Sequence, residues 1–430
     1  MSWLYAAQSI TFIEQIIKDI NDQDVNDPQL RHIIDLMNRT ILHLDLDAFF
    51  CSVEETRNNN LRGKPFAVGG KPDERGVVAS CSYAARKFGV RSAMPMSRAL
   101  RLAPNLIIVP GRHKLYSEVS KQVMARLHNL TGLVEQISID EAFLDISDLR
   151  DEDPERIARG LQAGIRDELS LPSSIGIASN KLVAKIATEV GKKASKGNGP
   201  PFGLTIVPAG EEAAFLVPLP ADMLWGVGPK TSVRLAELGI HTIGDIARWP
   251  ESELIRLFGE SGRDLARHAK GQDERQVVTE RETKSVSQET TFTRDVGDDL
   301  VLQKTLKEQA AEVGRQLRKN DLAGATIKLK IRWHDFTTLT RQTTLPSPIN
   351  LDNEIVEAAL KLLKSVRTSG QAVRLIGVGV SGLGPPIRQL GLWDTESEKS
   401  RRLQDAVDIL REKYGDKVIH RGEASESGEL

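Results

Sequence analysis

Cysteine and long apolar runs are scarce in this sequence. Its 430 residues include only two cysteines, Cys51 and Cys81, which supply neither a disulfide framework nor the spacing of a zinc site. No apolar run approaches the roughly 18–20 residues that a membrane-spanning helix needs. The first residues carry no basic stretch ahead of their apolar side chains, so we expect no secretory signal. These absences argue against membrane and disulfide-stabilised secreted proteins, and they favour a reduced, cytoplasmic setting.

The composition is otherwise ordinary for a globular protein, with 40% hydrophobic and 27% charged residues. A chain of this length can form two to four domains, each with its own core. The net charge is −1, but residues 285–393 hold 15 Lys and Arg against 11 Asp and Glu. A basic segment between acidic ends is weak evidence for a polyanion-binding module, because most such segments are solvated surface.

Strand-like and helix-like segments alternate along the chain, which predicts a multidomain α+β fold. Apolar and polar residues alternate strictly over 41–47, which is typical of a strand. Residues 211–270 have a helical pattern throughout. Further strands are predicted at 173–179, 326–333 and 372–380, and further helices at 113–129, 153–168, 180–191, 300–319 and 353–368.

Two neighbouring carboxylates, Asp140 and Glu141, lie inside the otherwise apolar stretch Q-I-S-I-D-E-A-F-L-D-I-S. They would converge if residues 133–139 and 142–146 formed the two arms of a hairpin. Asp45 and Asp47, on the first strand, could complete a cluster. Carboxylates grouped in this way repel one another unless a cation is present, and oxygen ligands suit Mg²⁺. The alternative is that these acids cap turns or pair with basic side chains, and the residues alone leave both interpretations open.

Several long motifs occur together in order. They are I-L-H-L-D-L-D-A-F-F-C-S-V-E-E, V-V-A-S-C-S-Y-A-A-R-K-F-G-V, S-I-D-E-A-F-L-D-I-S and G-I-A-S-N-K-L-V-A-K-I-A. In these motifs the chain resembles the Y-family translesion DNA polymerases, in their DinB (polymerase IV) branch, from about residue 40 to residue 393. Ordered motifs of this length are far more specific than any single carboxylate pair.

The resemblance implies a right-hand polymerase arrangement with palm, small fingers, a helical thumb and a C-terminal α+β little finger. It divides the chain into a helical extension of unassigned role (1–40), palm (41–56 and 111–200), fingers (57–110), thumb with a helix-hairpin-helix (201–272), linker (273–284), little finger (285–388), and a clamp-binding peptide with tail (389–430).

It also implies a metal site. Asp45 and Asp140 match the metal-binding aspartates of the family, Glu141 matches its third catalytic carboxylate, and the carbonyl of Leu46 matches a backbone ligand. Asp47 matches an acid that the family does not use as a main ligand, so we expect a structural role for it. Two Mg²⁺ ions per site are expected.

The nucleotide contacts follow from the same resemblance. Phe50 matches the steric gate, an aromatic ring that would clash with a 2′-OH and so select dNTPs, and Phe49 precedes it. Without the resemblance, both rings would more often be core. Further nucleotide contacts are implied at Ser80, Tyr83, Arg86 and Lys185. Phenol, guanidinium and ammonium groups are chemically suited to phosphate oxygens.

The resemblance places the DNA contacts in the thumb and little finger. The expected residues are Gly226, Gly228 and Lys230 at the helix-hairpin-helix turn, and Lys328, Lys330 and Arg332 in the little finger. Glycines there allow a tight turn whose N–H groups face a phosphate. The segment 389–393 consists of Gln389, Leu390, Gly391, Leu392 and Trp393. It stands where this branch carries its sliding-clamp peptide, although a terminal strand packed on its own domain would show the same residue pattern.

The sequence therefore predicts a monomeric, template-directed DNA polymerase for translesion synthesis. Its partners would be primer-template DNA, dNTPs and a sliding clamp, and it would have low fidelity and no proofreading. Two alternatives come from other classes: a catalytically inactive adaptor that binds DNA, and a metal-dependent nuclease. Retention of the three carboxylates and Phe50 argues against the first, and the triphosphate contacts argue against the second.

Overall fold

The computed structural model describes residues 39–149, 151–195, 199–368, 370–386 and 395–415. It forms two compact units. The first runs to residue 281 without residues 73–75, and the second comprises residues 73–75 and the chain from residue 282 onward. Most of the predicted extension 1–40, the predicted clamp peptide and the end of the tail lie outside the described residues. Within the described part of the chain, no helix has the length and apolar character needed to cross a membrane.

The first unit contains a five-stranded sheet, a three-stranded sheet and a series of helices. Its strands are β1 (Ile41–Leu46), β2 (Phe66–Gly69), β3 (Val78–Cys81), β4 (Ile107–Val109), β5 (Val134–Gln136), β6 (Glu141–Asp145), β7 (Ser173–Ala178) and β8 (Leu204–Ile206). Its helices are α1 (Phe49–Arg57), α2 (Tyr83–Lys87), α3 (Met96–Leu102), α4 (His113–Leu130), α5 (Pro154–Leu169), α6 (Lys181–Ala194), α7 (Glu212–Leu216), α8 (Pro229–Glu237), α9 (Ile243–Arg248), α10 (Glu251–Phe258) and α11 (Glu260–His268).

A five-stranded sheet in the order β5-β6-β1-β7-β8 carries the candidate site. Strand β1 lies at its centre, antiparallel to both neighbours, and Leu42 and Leu44 are fully buried in the core. The opposite face of β1 is also covered, since Ile41 and His43 are fully buried as well. The predicted hairpin is present, with β5 antiparallel to β6. A smaller sheet in the order β3-β2-β4 packs with α2 and α3 around its own apolar cluster.

Helix α6 lies directly on β1 and β7. Gly176 in β7 permits this contact, because a Cβ atom there would lie 2.1 Å from the Ala184 carbonyl oxygen and 2.5 Å from the Thr188 nitrogen. The close approach brings one face of α6, with Lys185, Thr188 and Lys192, against the polar face of β1. Side chains on α6 can therefore reach the carboxylates of the central strands.

The chain that follows the sheet is helical, as predicted, and α8 to α11 bury Leu235, Ile243 and Leu254 in a second apolar cluster, which also includes Ile41 of β1 and Phe143 of β6. The segment after α11 returns to the five-stranded sheet. There the buried carboxylate of Glu135 accepts hydrogen bonds from Lys181 Nζ at 2.7 Å and from the Val278 nitrogen at 2.9 Å. This buried ion pair fixes the end of the first unit to β5 and the start of α6.

The second unit is one antiparallel sheet with two helices packed on one face. Its elements are β9 (Ser285–Val296), α12 (Asp299–Lys319), β10 (Ala323–Trp333), β11 (Thr338–Ile349), α13 (Asp352–Val366), β12 (Val373–Gly384) and α14 (Thr395–Tyr414). The sheet has the order β11-β10-β12-β9. Ile327, Leu329 and Ile331 face the two helices, so the alternating Lys328, Lys330 and Arg332 lie on the outer face.

Candidate functional site

The paired strands β1 and β6 bring the three predicted carboxylates together. Asp45 stands directly opposite Glu141 in the antiparallel ladder. Asp140 immediately precedes β6, and its carbonyl accepts a hydrogen bond from the Leu46 nitrogen at 2.9 Å. Opposed like charges on neighbouring strands are destabilising unless a cation offsets them. The pairing itself therefore requires compensation by positive charge.

Two lysines of α6 provide positive charge at this point. Lys192 Nζ lies 2.8 Å from Asp45, and Lys185 Nζ forms an ion pair with Glu141. Burial raises the pKa of Asp45, and the ammonium of Lys192 offsets part of this rise. Burial also lowers the pKa of Lys185. The two lysines lie two helical turns apart on one face of α6, so a single helix supplies both cations.

His43 contacts the same oxygen of Glu141 as Lys185 does, and Ser138 contacts Asp140. His43 Nε2 lies 2.6 Å from Glu141 Oε1, and the Ser138 hydroxyl donates to Asp140 Oδ1 at 2.6 Å. With these partners in place, no three His, Cys, Asp or Glu side chains of the described residues converge as a metal-binding group. The donor chemistry nevertheless fits a hard divalent cation, since carboxylates and a backbone carbonyl meet at the ends of adjacent strands. A cation would compete with the lysines for the same oxygens.

Asp47 is separate from this group. Its side chain is buried, and both carboxylate oxygens lie 3.0 Å from the Ser174 hydroxyl, which donates to them. Tyr83 donates a longer hydrogen bond to the same carboxylate at 3.4 Å. Burial raises the pKa of Asp47 to about 6. These contacts tie β1 to β7 and to Tyr83, in keeping with the structural role predicted for this acid.

Beside Asp45 and Asp140 lies an open pocket of about 330 Å³. Its lining includes the predicted nucleotide contacts Phe49, Phe50, Ser80, Tyr83 and Arg86. The Arg86 guanidinium lies 4.5 Å from the centre of the Tyr83 ring. The lining of the pocket thus combines carboxylates with a guanidinium and a phenol.

Two lysines of α6, Lys185 and Lys192, differ in their position relative to this pocket. Lys185 is directed at Glu141 and at the ring of Trp225, whose centre is 5.6 Å away, and it is not part of the pocket lining. Lys192 is part of that lining. Lys192 was not among the residues predicted from the sequence. The predicted helix ended at residue 191, whereas the helix continues to Ala194, so the seven-residue spacing that brings Lys192 to the same face as Lys185 was missed.

Phe50 is held by an aromatic stack. Its ring lies 4.2 Å from the ring of Tyr116, and the two planes differ by 15°. The Tyr116 hydroxyl donates to the buried carboxylate of Glu54 at 2.7 Å. Phe49 is also buried, and most of its surface belongs to the core beneath the site. The orientation of Phe50 toward the pocket is therefore fixed by packing.

The predicted DNA contacts lie at the surface of both units. Gly226 has φ +101°, a value that favours glycine. Gly228 is the N-cap residue of α8, so no side chain of that residue covers the first N–H groups of the helix. Lys230 is exposed in the first turn of that helix. In the second unit Lys330 pairs with Glu289 at 2.8 Å, and Arg332 donates to the Thr338 hydroxyl at 2.8 Å. The predicted clamp residues Gln389, Leu390, Leu392 and Trp393 lie outside the described residues.

Comparisons with known proteins agree with the motifs. The model of the impB/mucB/samB family matches residues 44–189, and the model of its C-terminal domain matches residues 283–392. A DNA polymerase IV of Streptomyces coelicolor is 48% identical over 349 residues, which are 80% of this chain and 71% of that protein. A DNA polymerase IV of Dehalococcoides mccartyi is 40% identical over 380 residues, 88% of this chain and 95% of that protein.

Solved structures are similar as well. A chimera of the Y-family polymerases Dbh and Dpo4 aligns with a TM-score of 0.70 at 28% identity, and the alignment covers 80% of this chain and 99% of the chimera. DinB from Sulfolobus solfataricus aligns with a TM-score of 0.54 at 29% identity, covering 80% and 98% of the two chains.

The fold and the pocket define the class: this is a polymerase palm with accessory DNA-binding elements. The chain belongs to the Y family of DNA polymerases, in its DinB branch. It is a DNA-directed DNA polymerase of the translesion type, and like its family it depends on a divalent metal ion. The family and the fold class predicted from the sequence are confirmed.

Proposed function

We propose that the pocket beside β1 and β6 is the nucleotidyl-transfer site, in which Asp45, Asp140, Glu141 and the carbonyl of Leu46 hold two Mg²⁺ ions. The observation that carries this proposal is the register of the strands, with Asp45 opposite Glu141 and Asp140 at the turn. When bound, the metal ions would activate the primer 3′-OH and neutralise charge on the leaving pyrophosphate.

The other residues of the pocket bind and orient the nucleotide. Arg86, Tyr83 and Lys192 supply donors for the triphosphate, and charge-assisted hydrogen bonds to phosphate are among the strongest in proteins. Ser80 lies where the nascent base pair would sit. Phe50 closes the side of the pocket that would receive the sugar, so that a 2′-OH would collide with its ring. Lys185 keeps its ion pair with Glu141 and would neutralise the charge of that carboxylate.

The DNA would be held through its phosphates. The N-terminus of α8, with Gly226, Gly228 and Lys230, presents free N–H groups and a positive charge. The outer face of the second-unit sheet, with Lys328, Lys330 and Arg332, offers further cations. Phosphate contacts carry no sequence information, which suits an enzyme that must accept any template. The protein would work on primer-template DNA as a monomer.

The peptide from Gln389 to Trp393 would bind a sliding clamp, through apolar anchors that fill a groove on the partner. Replacing Leu390, Leu392 and Trp393 together by alanine should shorten the products made on clamp-loaded DNA and leave products on bare primer-template unchanged. If the variant and the intact protein make products of equal length on clamp-loaded DNA, the segment does not bind the clamp.

Metal dependence tests the proposed chemistry. Primer extension should cease when EDTA removes divalent ions and return when Mg²⁺ is added, whereas binding of the primer-template should persist in EDTA. The same reactions, with a mismatched primer end and no dNTPs, should show no shortening, since we propose no proofreading activity. Rapid shortening of the primer under Mg²⁺ would favour the nuclease alternative.

A further inference from the structure

His43 is a fully buried polar residue next to the carboxylates, and the proposed chemistry gives it no task. It lies on β1, and its side chain is enclosed by β6, β7 and α6. Its Nε2 atom lies 2.6 Å from Glu141 Oε1, and its Nδ1 atom lies 2.8 Å from the Thr188 hydroxyl. Both ring nitrogens therefore have protein partners at direct hydrogen-bonding distance.

The partners determine where the ring proton lies. An ionised carboxylate only accepts hydrogen bonds, so Nε2 of His43 must donate to Glu141. In the neutral ring Nδ1 then carries a lone pair and accepts from the Thr188 hydroxyl. The three residues thus form a chain in which Glu141 fixes the ring tautomer and the hydroxyl of Thr188, which also lies 3.1 Å from the Ala184 carbonyl oxygen, holds the other side of the ring.

His43 differs from the other partner of Glu141 in rigidity. Lys185 reaches the same oxygen with a flexible side chain that is 25% exposed, whereas the side chain of His43 is 1% exposed. The ring is further fixed by Phe143, whose centre lies 4.7 Å from its own. Both contacts are made to Oε1. A carboxylate held at one oxygen by a rigid donor can present the other oxygen to a metal ion.

We propose that His43, oriented by Thr188, is a positioning residue that holds Oε1 of Glu141 and thereby presets this carboxylate for metal binding. The inference rests on the role proposed above for Glu141 as a metal ligand. Partners that hold metal ligands commonly change metal affinity or activity by about 10–100-fold when they are removed.

The test uses matched substitutions at both positions. His43→Leu removes the donor, and His43→Gln retains an amide donor near the position of Nε2. Thr188→Val removes the hydroxyl at nearly constant shape, and Thr188→Ser retains it. Mn²⁺ binding is measured by electron paramagnetic resonance on the full chain, in complex with dideoxy-terminated primer-template and dNTP, so that no turnover occurs. Glu141→Gln is measured alongside, and circular dichroism establishes that each variant is folded.

We expect His43→Leu to raise the Kd for Mn²⁺ by about 10–100-fold, and His43→Gln to restore at least part of the affinity. Thr188→Val should weaken binding in the same direction, and Thr188→Ser should match the intact protein. If His43→Leu fails to fold, the Thr188 pair decides: equal affinities of Thr188→Val and Thr188→Ser would overturn the proposal.

The same measurements distinguish the positioning role of His43 from the metal-binding role proposed for Glu141. If Glu141→Gln weakens Mn²⁺ binding while the folded His43 and Thr188 variants bind like the intact protein, the positioning role is wrong and the proposed site stands. If Glu141→Gln binds Mn²⁺ as the intact protein does, Glu141 is not a ligand, and the positioning role falls with it.

Discussion

The charged side chains of the site compensate one another. Asp45 and Glu141 face one another across two strands, an arrangement that costs free energy without cations, and Lys192 and Lys185 supply them. The lysines come from a different part of the chain from either acid. Lys185 and Lys192 therefore stabilise the arrangement of the carboxylates, and a bound cation would compete with them for the same oxygens.

Phe50 should govern the choice between deoxyribonucleotides and ribonucleotides. Phe50→Ala removes the ring that we expect to collide with a 2′-OH, a steric conflict of about 1–3 kcal/mol. The ratio of kcat/KM for rNTP to that for dNTP should therefore rise by roughly 5–150-fold. Single-nucleotide insertion kinetics measure this ratio. Phe50→Tyr, which keeps the ring, serves as the control, and unchanged sugar selection in the alanine variant would refute the assignment.

Lys192 should contribute to nucleotide affinity. It lines the pocket with Arg86 and Tyr83, and loss of a charged hydrogen bond costs about 1.5–3 kcal/mol. Lys192→Ala should therefore raise the KM for dNTP by about tenfold or more. The neighbouring Lys193 is exposed, so Lys193→Ala is the matched control and should leave KM unchanged. Equal KM values for the two variants would remove Lys192 from the nucleotide contacts.

At the scale of elements, the seating of α6 on β7 is decisive, because this helix carries Lys185, Thr188 and Lys192. Gly176→Ala would push α6 away from the sheet, since the added Cβ atom meets backbone atoms at 2.1 Å and 2.5 Å. We expect the free energy of unfolding to fall by about 1–3 kcal/mol or more, together with a loss of activity.

Gly160 provides the control for that substitution. It lies on the exposed side of α5, with nothing within 4 Å of an added Cβ atom. Gly160→Ala should therefore stabilise the protein by about 0.4–1 kcal/mol. Urea unfolding measures both changes, and a destabilised Gly160→Ala or an unaffected Gly176→Ala would contradict the packing described here.

The start of α9 should make stability depend on pH. Thr242 and Asp245 form a capping box, in which Asp245 accepts hydrogen bonds from the nitrogens of Thr242 and His241. These bonds lower the pKa of Asp245 to about 2, below its usual value of 3.8. Since the folded-state pKa is depressed, the stabilisation is present above about pH 4 and is lost as the pH falls toward 2.

The measurement compares the intact protein with Asp245→Asn by urea unfolding at several pH values. The difference in free energy of unfolding should be largest near pH 6 and should shrink at pH 3. A difference that stays constant over this range would show that the charge of Asp245 does not contribute to the cap.

Elements with strong apolar patterns could be predicted from the sequence, and two mostly exposed strands could not. Strand β1, the β5–β6 hairpin, and helices α4 to α6 lie close to their predicted positions. Strands β9 and β11 were missed because they lie at the two edges of the second-unit sheet and are mostly exposed, so few of their side chains are apolar. The partners of the carboxylates were missed for a related reason, since Lys192 meets Asp45 only through the close contact of α6 with β1.

At the scale of the whole molecule, the predicted palm, fingers and thumb share the first unit, and the predicted little finger makes up most of the second. The division at residue 281 falls inside the predicted linker 273–284. The basic residues that the sequence concentrates in 285–393 include the outward-facing side chains of β10. The near-zero net charge of the chain therefore conceals a cationic face on the second unit, where DNA phosphates would bind.

Nucleotidyl transfer at the carboxylates on β1 and β6 is the activity that we propose for this site. Its most direct test is extension of a primer on an undamaged template with Mg²⁺ and dNTPs, comparing the intact protein with Asp140→Asn and Glu141→Gln. We expect the intact protein to extend the primer, and both variants to bind the same DNA but fail to extend it. Extension at an undiminished rate by either variant would contradict the account.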